Sequence, residues 1–315
     1  MNSNDRLVVI LGPTAAGKSE LGMRLAERLS GEVVVCDSTQ VYRGFDIGTS
    51  KVRRKDRRGI PHHLVDLVAP EEVFTAGEYR QRALEVLDDL RQRGKVPILT
   101  AGTGLYLRAL LEGLADAPTR SEELRRRLRR HAEQEDSAHL HRILARRDPD
   151  AAARIAPRDT QKLIRAIEIS ILSGKSVTEV HRSGRTGLQG YMVTKIGLMP
   201  PRQELYARIN QRVEAMLEAG WLEEVGQLVA AGIPATAKPF QFIGYPQLRE
   251  QLKGKMRVEE AVLQIQRATR RYAKRQITWF RKESGVEWHS GFGEDPRIAS
   301  AVLEHLLPTQ KAPEL

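Results

Sequence analysis

The chain has little cysteine, few aromatic residues and no long apolar run, and each shortage excludes a class of protein. Cys36 is the single cysteine among 315 residues, so the fold cannot depend on intramolecular disulfides. Aromatic residues make up 5%, too few for the aromatic platforms that stack single-stranded nucleic acid. No apolar stretch is long enough to span a bilayer, and the N-terminus lacks a signal-peptide pattern. We therefore expect a soluble protein of the reducing cytoplasm.

Basic residues outnumber acidic ones, and this difference indicates which kind of molecule the protein binds. The chain has 51 Lys and Arg residues against 40 Asp and Glu residues, a formal net charge of +11. A surplus of this size favours a polyanion such as nucleic acid or, second, an anionic membrane surface. With 41% hydrophobic residues, the chain can also bury a substantial core in one large or two moderate domains.

A complete phosphate-binding loop, GPTAAGKS, occupies residues 12–19. It follows the apolar run 7–11 and precedes a helical pattern at 20–29, so its backbone N–H groups would converge on one anion at a helix N-terminus. We expect Lys18 to reach the diphosphate oxygens and the Ser19 hydroxyl to help hold Mg²⁺. The loop by itself does not distinguish ATP, the default ligand, from another pyrophosphate ester. The predicted diphosphate-binding residues are Gly12, Pro13, Thr14, Ala15, Ala16, Gly17, Lys18 and Ser19.

The order of apolar runs and helical patterns predicts an α/β fold with an insertion. Short apolar runs alternate with helical patterns before residue 112, as in a parallel sheet, and then give way to charged helices up to residue 190. We therefore predict a P-loop-containing parallel sheet flanked by helices, formed by residues 1–112 and 191–315, with an inserted all-helical domain at 113–190. Predicted strands cover 7–11, 33–36, 96–99 and 194–198, and predicted helices cover 20–29, 78–93, 121–135, 138–146, 159–173, 203–219 and 258–283.

Two polar residues follow predicted strands and are candidates for chemistry. Asp37 follows the second strand, which we expect to lie beside the first, and Thr103 follows the third. Ligands of open α/β sheets bind at the carboxyl ends of strands, so both residues are expected on the same edge as Lys18. Asp37 fits a magnesium ligand, a general base or a helix cap, and Thr103 fits a substrate contact or a structural turn.

Two segments are rich in basic residues. Residues 121–130 hold five arginines, among them Arg125, and fit a solvated helix face. Residues 264–282 hold seven basic residues and no acidic one, which favours phosphate-backbone binding over solvation alone. On this second helix the predicted apolar stripe is Val262, Ile265, Ala268, Tyr272 and Trp279, and the predicted basic face is Arg267, Arg271, Lys274 and Arg281.

Two arginines on the predicted helix 203–219 are candidates for anion binding. Arg208 and Arg212 lie four residues apart and therefore face the same side of a helix. Arg suits this task because its planar fork pairs with phosphate oxygens two at a time. The spacing fits two guanidinium groups on one anion, and it fits ordinary surface arginines equally well.

Several segments together resemble the tRNA dimethylallyltransferases, also called tRNA isopentenyltransferases, of the bacterial type. The likeness runs nearly end to end, and the segment 37–51 is far more specific than the phosphate loop. Residues 240–247 keep an Ile-Gly-Tyr centre but have Pro246 and Gln247 where charged residues are commoner in the family, which affects only the expected tRNA contacts there. The segments are GPTAAGKS at 12–19, DSTQVYRGFDIGTSK at 37–51, PHHLVDL at 61–67, AGTGLYLRALLEGL at 101–114, QKLIRAIEI at 161–169 and KRQITWFR at 274–281.

The resemblance implies a transfer reaction. The donor would be dimethylallyl diphosphate, the acceptor would be N6 of the adenosine directly 3′ of the anticodon in tRNA, and diphosphate would be released, with Mg²⁺ as cofactor. Asp37 would act as general base, while Lys18, Thr14 and Arg212 would orient or stabilise the reacting groups. The helical domain would contact the anticodon stem-loop, and the protein would act as a cytoplasmic monomer that does not bind membranes.

The resemblance also implies an RNA-binding surface. The target base must leave its stack to reach the site, and phosphate contacts along the anticodon arm would offset that cost. The positions matched to tRNA contacts are Asp37, Ser38, Thr39, Gln40, Thr103, Arg125, Gln161, Lys162, Leu163, Ile164, Arg165, Lys274, Arg275, Gln276, Ile277, Thr278, Trp279, Phe280 and Arg281.

Two other functions stay open at the level of sequence. A phosphate-loop kinase would use the same loop for ATP, but it would have little need for the acid-free segment 264–282. A nucleic-acid-binding ATPase without covalent chemistry would account for the charge, but it would leave Asp37 and the DIGTSK segment without a function.

Overall fold

The computed structural model describes residues 5–135, 137–182 and 184–307. The chain divides into two compact units, residues 1–110 with 189–315, and residues 111–188. The sequence placed both boundaries two residues further along the chain. Every helix of the described ranges is too short or too polar to cross a membrane. The outer ends of the predicted core, 1–4 and 308–315, and residues 136 and 183 of the predicted insertion lie outside the described residues.

The first unit is built around a parallel sheet, which confirms the predicted fold class. Its strands are β1 (Arg6–Leu11), β2 (Gly31–Cys36), β3 (His62–His63), β4 (Val96–Ala101), β5 (Met192–Leu198) and β6 (Val286–His289). They pair in the order β3-β2-β4-β1-β5-β6, and every pairing is parallel. Because β4 lies between β1 and β2, the prediction that the second strand lies beside the first is wrong. Chain order does not encode which strands pair over long separations.

Besides short 3₁₀ helices, including Arg54–Asp56 and Lys238–Gln241, α-helices make up the remaining regular structure of the described residues. In chain order they are α1 (Lys18–Leu29), α2 (Ala76–Gln92), α3 (Gly104–Glu112), α4 (Glu122–Glu135), α5 (Ser137–Arg147), α6 (Pro149–Arg154), α7 (Thr160–Ser173), α8 (Val177–Arg182), α9 (Arg202–Glu218), α10 (Trp221–Ala230), α11 (Tyr245–Leu252), α12 (Val258–Phe280) and α13 (Pro296–Leu306). The predicted helices are recovered within three residues at each end. The second unit contains α4 to α8, so its helical character is confirmed.

The central strands are buried along almost their whole length. Every residue of β1, β2 and β4 after the first is buried, as expected for apolar, β-branched runs in a sheet covered by helices. On one face, Leu21 and Leu25 of α1 pack in a cluster with Val8, Ile10 and Val33 of the strands. This packing holds the carboxyl ends of the central strands next to the start of α1.

The segment that follows β2 is held in place by buried side chains. Phe45 is buried, and its ring centroid lies 4.9 Å from that of Tyr245. Lys51 is almost fully enclosed, and its Nζ lies 2.7 Å from Asp46 Oδ1. The motif at 37–51 therefore encodes a folded turn that keeps Asp37 at the edge of the sheet.

Candidate active site and nucleic-acid interface

The phosphate loop joins β1 directly to α1, as the sequence predicted. β1 ends at Leu11 and α1 begins at Lys18, with Gly17 in the left-handed conformation at φ 87°. No described side chain caps the start of α1, so its first amide groups are open to an anion. A Cβ atom at Gly17 would collide with Glu294 and with the backbone of Gly293, so only glycine fits at this position.

Lys18 lies folded against the loop. Its Nζ donates to Gly12 O at 2.9 Å and to Pro13 O at 2.8 Å. Withdrawal from water lowers the pKa of Lys18 to about 8; the negative charge of Asp37 opposes this shift and the positive charge of Arg212 adds to it. Lys18 is therefore close enough to interact with both Asp37 and Arg212.

Asp37 lies at the carboxyl end of β2 with one oxygen engaged and the other available. Its Oδ1 accepts hydrogen bonds from Thr39 N at 2.8 Å and from Thr39 Oγ1 at 2.7 Å. Its Oδ2 lies against Gly102, where a Cβ atom would collide with it, and accepts no hydrogen bond from a described residue. A turn rather than a helix follows Asp37, so the helix-cap interpretation is wrong. The fixed carboxylate with a free oxygen is suited to accept a proton.

Thr103 lies on the same edge, at the end of β4. Its Oγ1 accepts from Ser38 N at 2.9 Å and donates to Ser38 Oγ at 3.1 Å. The backbone N–H groups of Gly102 and Thr103 both donate to Cys36 O at 3.0 Å. The structure thus brings Asp37, Ser38 and Thr103 together by joining the ends of β2 and β4.

A cavity of about 550 Å³ lies beside the phosphate loop in the first unit. Its wall includes four cationic side chains, those of Lys18, Arg57, Arg208 and Arg212. It also includes apolar side chains of the sheet and α1, such as Val35 and Met23. Of the predicted site residues, the cavity wall contains Thr14, Ala15, Gly17, Lys18, Ser19, Gln40 and Arg212. The cavity therefore offers both an anion-binding end and an apolar wall, which suits an amphiphilic ligand.

Arg208 and Arg212 have different surroundings although they lie on one helix face. Two nitrogens of the Arg208 guanidinium donate to the carboxylate of Glu294, so this guanidinium is already paired. Withdrawal from water lowers the pKa of Arg212, the positive charge of Arg208 lowers it further, and Glu294 opposes both. Of the two arginines, Arg212 is the one open to a ligand anion. No sequence motif pointed to Glu294, although this residue follows β6 at the same edge of the sheet.

Comparison with known proteins identifies the family. The family model described as IPP transferase matches residues 40–283. The chain belongs to the IPP transferase family.

Individual relatives of the IPP transferase family match almost the whole chain. A tRNA dimethylallyltransferase of Koribacter versatilis (strain Ellin345) is 49% identical over 302 residues, which cover 96% of this chain and 98% of that one. A tRNA dimethylallyltransferase of Solibacter usitatus (strain Ellin6076) is 46% identical over 300 residues, which cover 95% and 97%. The chain is thus similar to enzymes that transfer a prenyl group.

Solved structures of the family share the fold. The full-length tRNA isopentenylpyrophosphate transferase of Bacillus halodurans has a TM-score of 0.69 and 37% identity, covering 96% of this chain and 97% of that chain. A eukaryotic dimethylallyltransferase acting on tRNA has a TM-score of 0.81 and 28% identity, covering 95% and 78%.

In this IPP transferase, α12 presents the exposed basic face that the sequence predicted. Arg267, Arg271, Lys274 and Arg281 are all exposed. The predicted apolar stripe is wrong in part, because Trp279 is 36% exposed. The buried residues of α12 are Ala261, Ile265, Gln266, Ala273, Gln276 and Phe280. Two of them are glutamines, which a pattern of apolar residues cannot detect.

Trp279 lies beside the turn that follows β4. A Cβ atom at Gly104 would collide with the indole ring, and the Arg108 guanidinium lies 4.9 Å from the ring centroid. The start of α3 therefore supports the ring, while part of it faces solvent. An exposed, supported indole close to Thr103 is suited to stack on a nucleobase.

Some predicted tRNA contacts of α12 point into the first unit instead. Gln276 and Phe280 are buried, and Ile277 packs against the cluster that contains Ala15 and Ala273. The side chains of Gln276 and Phe280 do not reach the surface, so we correct the prediction that these two residues contact tRNA. Ile277 is only partly buried, and its contact with tRNA stays a prediction. The neighbouring positions Lys274, Arg275, Thr278, Trp279 and Arg281 are exposed.

In the second unit, Arg125 is internal. Its Nε and Nη2 donate to Glu168 Oε1 and Oε2 at 2.9 and 2.7 Å, and Arg165 Nη1 donates to Oε2 at 2.7 Å. Burial acts to raise the pKa of Glu168, but hydrogen bonds from Arg125, Arg165 and the Ser121 backbone outweigh it and lower the pKa to about 2. We therefore correct the prediction that Arg125 contacts tRNA, because this residue joins α4 to α7.

The remaining predicted contacts of the second unit divide between core and surface. Leu163 and Ile164 are buried in the apolar cluster of this unit, so the predicted contact is corrected for them as well. Gln161 and Lys162 are exposed at the start of α7. On α4 the exposed arginines are Arg126, Arg127 and Arg130.

Proposed function

We propose that this chain transfers the dimethylallyl group of dimethylallyl diphosphate to N6 of the adenosine directly 3′ of the anticodon in tRNA. The observation that carries the proposal is the position of the Asp37 carboxylate, which follows β2 at the same edge of the sheet as the phosphate loop and has an Oδ2 that accepts no hydrogen bond from a described residue. The names of the relatives, which are tRNA dimethylallyltransferases, support this choice of substrates.

The donor site is the cavity beside the phosphate loop. The loop amides, Lys18 and Arg212 would hold the diphosphate, since Arg212 and most of the loop residues from Thr14 to Ser19 border this cavity. The apolar wall would accept the branched hydrocarbon group without leaving polar atoms unpaired. A small apolar group joined to a polyanion matches this division of the cavity.

Asp37 would act as the general base. The amino group of adenine is a weak nucleophile because its lone pair is delocalised into the ring, so removal of its proton assists attack. The bond between N6 and the allylic carbon forms, the bond between that carbon and the diphosphate oxygen breaks, and the electron pair leaves with diphosphate. The proton passes from N6 to Asp37 Oδ2, the oxygen that accepts no hydrogen bond from a described residue.

The leaving diphosphate would be stabilised by positive charge already in place. Lys18 and Arg212 approach it from the cavity wall, and the amide groups at the start of α1 approach it from the loop. Because this positive charge is present at the site before the reaction, it is available when the allylic bond breaks.

The site also fits the magnesium ion that the family implies. Ser19 supplies a hydroxyl at the cavity, and the described residues contain no group of three or more His, Cys, Asp or Glu side chains arranged to hold a metal. Mg²⁺ takes few protein ligands and completes its shell with phosphate oxygens and water, so one hydroxyl beside a diphosphate site is sufficient. When bound, the ion supplies positive charge to the leaving group.

The RNA would be held by exposed basic residues in each unit. On the first unit these are the exposed side chains of α12, with Trp279 as a candidate stacking surface beside Thr103. On the second unit, which we propose as the domain that contacts the anticodon stem-loop, they include the exposed arginines of α4 and Lys162.

A transfer assay tests the proposal. Full-length protein is incubated with unmodified tRNA, Mg²⁺ and labelled dimethylallyl diphosphate, and the tRNA is digested for nucleoside mass spectrometry. We expect label on N6 of one adenosine per tRNA, without ATP. Absence of label, together with thermal stabilisation by ATP but not by a dimethylallyl diphosphate analogue, would favour the kinase instead.

A further inference from the structure

Gln276 occupies an unusual position on the basic helix. Its neighbours Lys274 and Arg275 are exposed, whereas Gln276 is only 6% exposed and faces the phosphate loop. It lies one turn from Ala273, which packs in a buried cluster with Ala15 of the loop. The basic helix therefore presents one side to solvent and places a polar side chain on the other side, inside the protein.

The Gln276 amide joins two parts of the candidate site. Its Oε1 accepts a hydrogen bond from Thr14 N at 2.8 Å, and its Nε2 donates to Gly102 O at 2.8 Å. The orientation of the amide is determined by its partners, because Thr14 N can only donate and Gly102 O can only accept. A carboxylate or an apolar side chain of similar size cannot make both bonds.

Each partner of Gln276 belongs to a different half of the reaction centre. Thr14 is part of the phosphate loop and lines the cavity. Gly102 lies against Oδ2 of Asp37, and its carbonyl also accepts from Tyr272 Oη of α12 at 3.4 Å. A change in the position of α12 would therefore be transmitted to both the anion site and the carboxylate.

We propose that Gln276 is a positioning residue that couples RNA binding on α12 to diphosphate binding at the phosphate loop. The inference rests on the proposed function, since it takes the exposed face of α12 as the RNA site. RNA phosphates restrain α12, and the buried amide passes that restraint to Thr14 and Gly102. Coupling between binding sites is reciprocal, so diphosphate must tighten RNA binding by the same factor.

The coupling is measured with inorganic pyrophosphate and an anticodon stem-loop RNA, which cannot react together. Calorimetry gives the pyrophosphate Kd of the full chain, with Mg²⁺, in the absence and presence of saturating RNA. We expect RNA to tighten pyrophosphate binding at least about fivefold in the unaltered protein. In Gln276→Leu the ratio should fall to about one, while RNA affinity alone changes less than about twofold because the side chain does not reach the surface.

Gln266 provides the matched control on the same helix. It is also 6% exposed, and its Nε2 donates to Glu214 Oε1 at 3.0 Å, on α9 and not on the phosphate loop. Gln266→Leu removes a buried amide of the same kind and should keep the coupling ratio. Gln276→Glu keeps an acceptor for Thr14 N but loses the donor to Gly102 O, so its coupling ratio should be intermediate. If Gln276→Leu does not fold, Gln276→Glu is the variant that tests whether Gln276 couples the two sites.

Three outcomes would overturn the coupling role. They are an unchanged ratio in both Gln276 variants, an equal loss in Gln266→Leu, and no coupling or no pyrophosphate binding in the unaltered protein. The binding ratio is separate from the transfer assay: a chain that shows the coupling but attaches no label to tRNA would contradict only the proposed function.

Discussion

The proposed reaction edge of the sheet, formed by Lys18, Asp37 and Thr103, and the basic face of α12 both concentrate polar groups, but in different surroundings. At the reaction edge Lys18 is withdrawn from water and its pKa is lowered, and Asp37 is held by two hydrogen bonds. On α12 the cationic groups are exposed, so water and salt screen them. A single group at the reaction edge should therefore have a large effect, whereas groups on α12 should have small, additive effects.

The largest expected effect is on turnover. Asp37→Asn keeps the size of the side chain but removes the base, so we expect kcat to fall roughly 10²- to 10⁴-fold. Affinity for tRNA should stay within about threefold, because one carboxylate is a small part of a phosphate-dominated interface. Single-turnover measurements with saturating tRNA and filter binding separate the two quantities. Unchanged turnover would show that Asp37 is not the general base, and the expected contrast with α12 would no longer hold.

The same contrast between buried and exposed charge can be tested with two adjacent arginines of the second unit. Arg125→Ala leaves the buried carboxylate of Glu168 without its main partner, and we expect the free energy of unfolding to fall by about 3–5 kcal/mol. Arg126→Ala removes an exposed guanidinium and should change it by less than about 0.5 kcal/mol. Chemical denaturation of both variants gives the comparison. Equal losses would mean that the Arg125 pair contributes no more than a surface charge.

The pH dependence of pyrophosphate binding tests the environment of Lys18. With a pKa of about 8, Lys18 is mostly protonated at pH 7 and mostly neutral at pH 9, so binding should weaken as the pH rises. Lys18→Arg stays protonated over this pH range. Ionisation of pyrophosphate itself affects both proteins equally, so it cancels in the comparison. The affinity of the unaltered protein relative to Lys18→Arg should therefore fall about tenfold from pH 7 to pH 9 in calorimetric titrations. Parallel pH profiles of pyrophosphate affinity in the two proteins would contradict the lowered pKa of Lys18.

The smallest effects per residue are expected on α12. Lys274→Ala combined with Arg281→Ala should weaken tRNA binding a few-fold and reduce the slope of log K against log salt by roughly 1.5 to 2. Lys253→Ala combined with Lys255→Ala removes the same charge from exposed positions before α12 and serves as control. If both double variants show the same slope, the face of α12 is only solvated.

Much of the fold and part of the candidate site could be predicted from patterns of residues that are close together in the chain. The phosphate loop was predicted because a strand, a glycine-rich turn and a helix follow one another in the chain, and the insertion was predicted because apolar runs disappear there. The edge strands β3 and β6 were missed because they span only two and four residues and contain polar side chains. Glu294 and the bridging role of Gln276 were missed because their partners are distant in the chain.

The sequence by itself determined the parallel α/β class, the loop that can bind a diphosphate, the carboxylate that follows β2 and the acid-free basic segment 264–282. Each of these depends on residues that are neighbours in the chain. Tertiary structure alone decided that β4 separates β1 from β2, that Arg125 forms a buried ion pair with Glu168, and that Gln276 faces the phosphate loop rather than the protein surface. These outcomes depend on packing between distant segments, because burial determines whether a polar side chain meets water or another part of the protein.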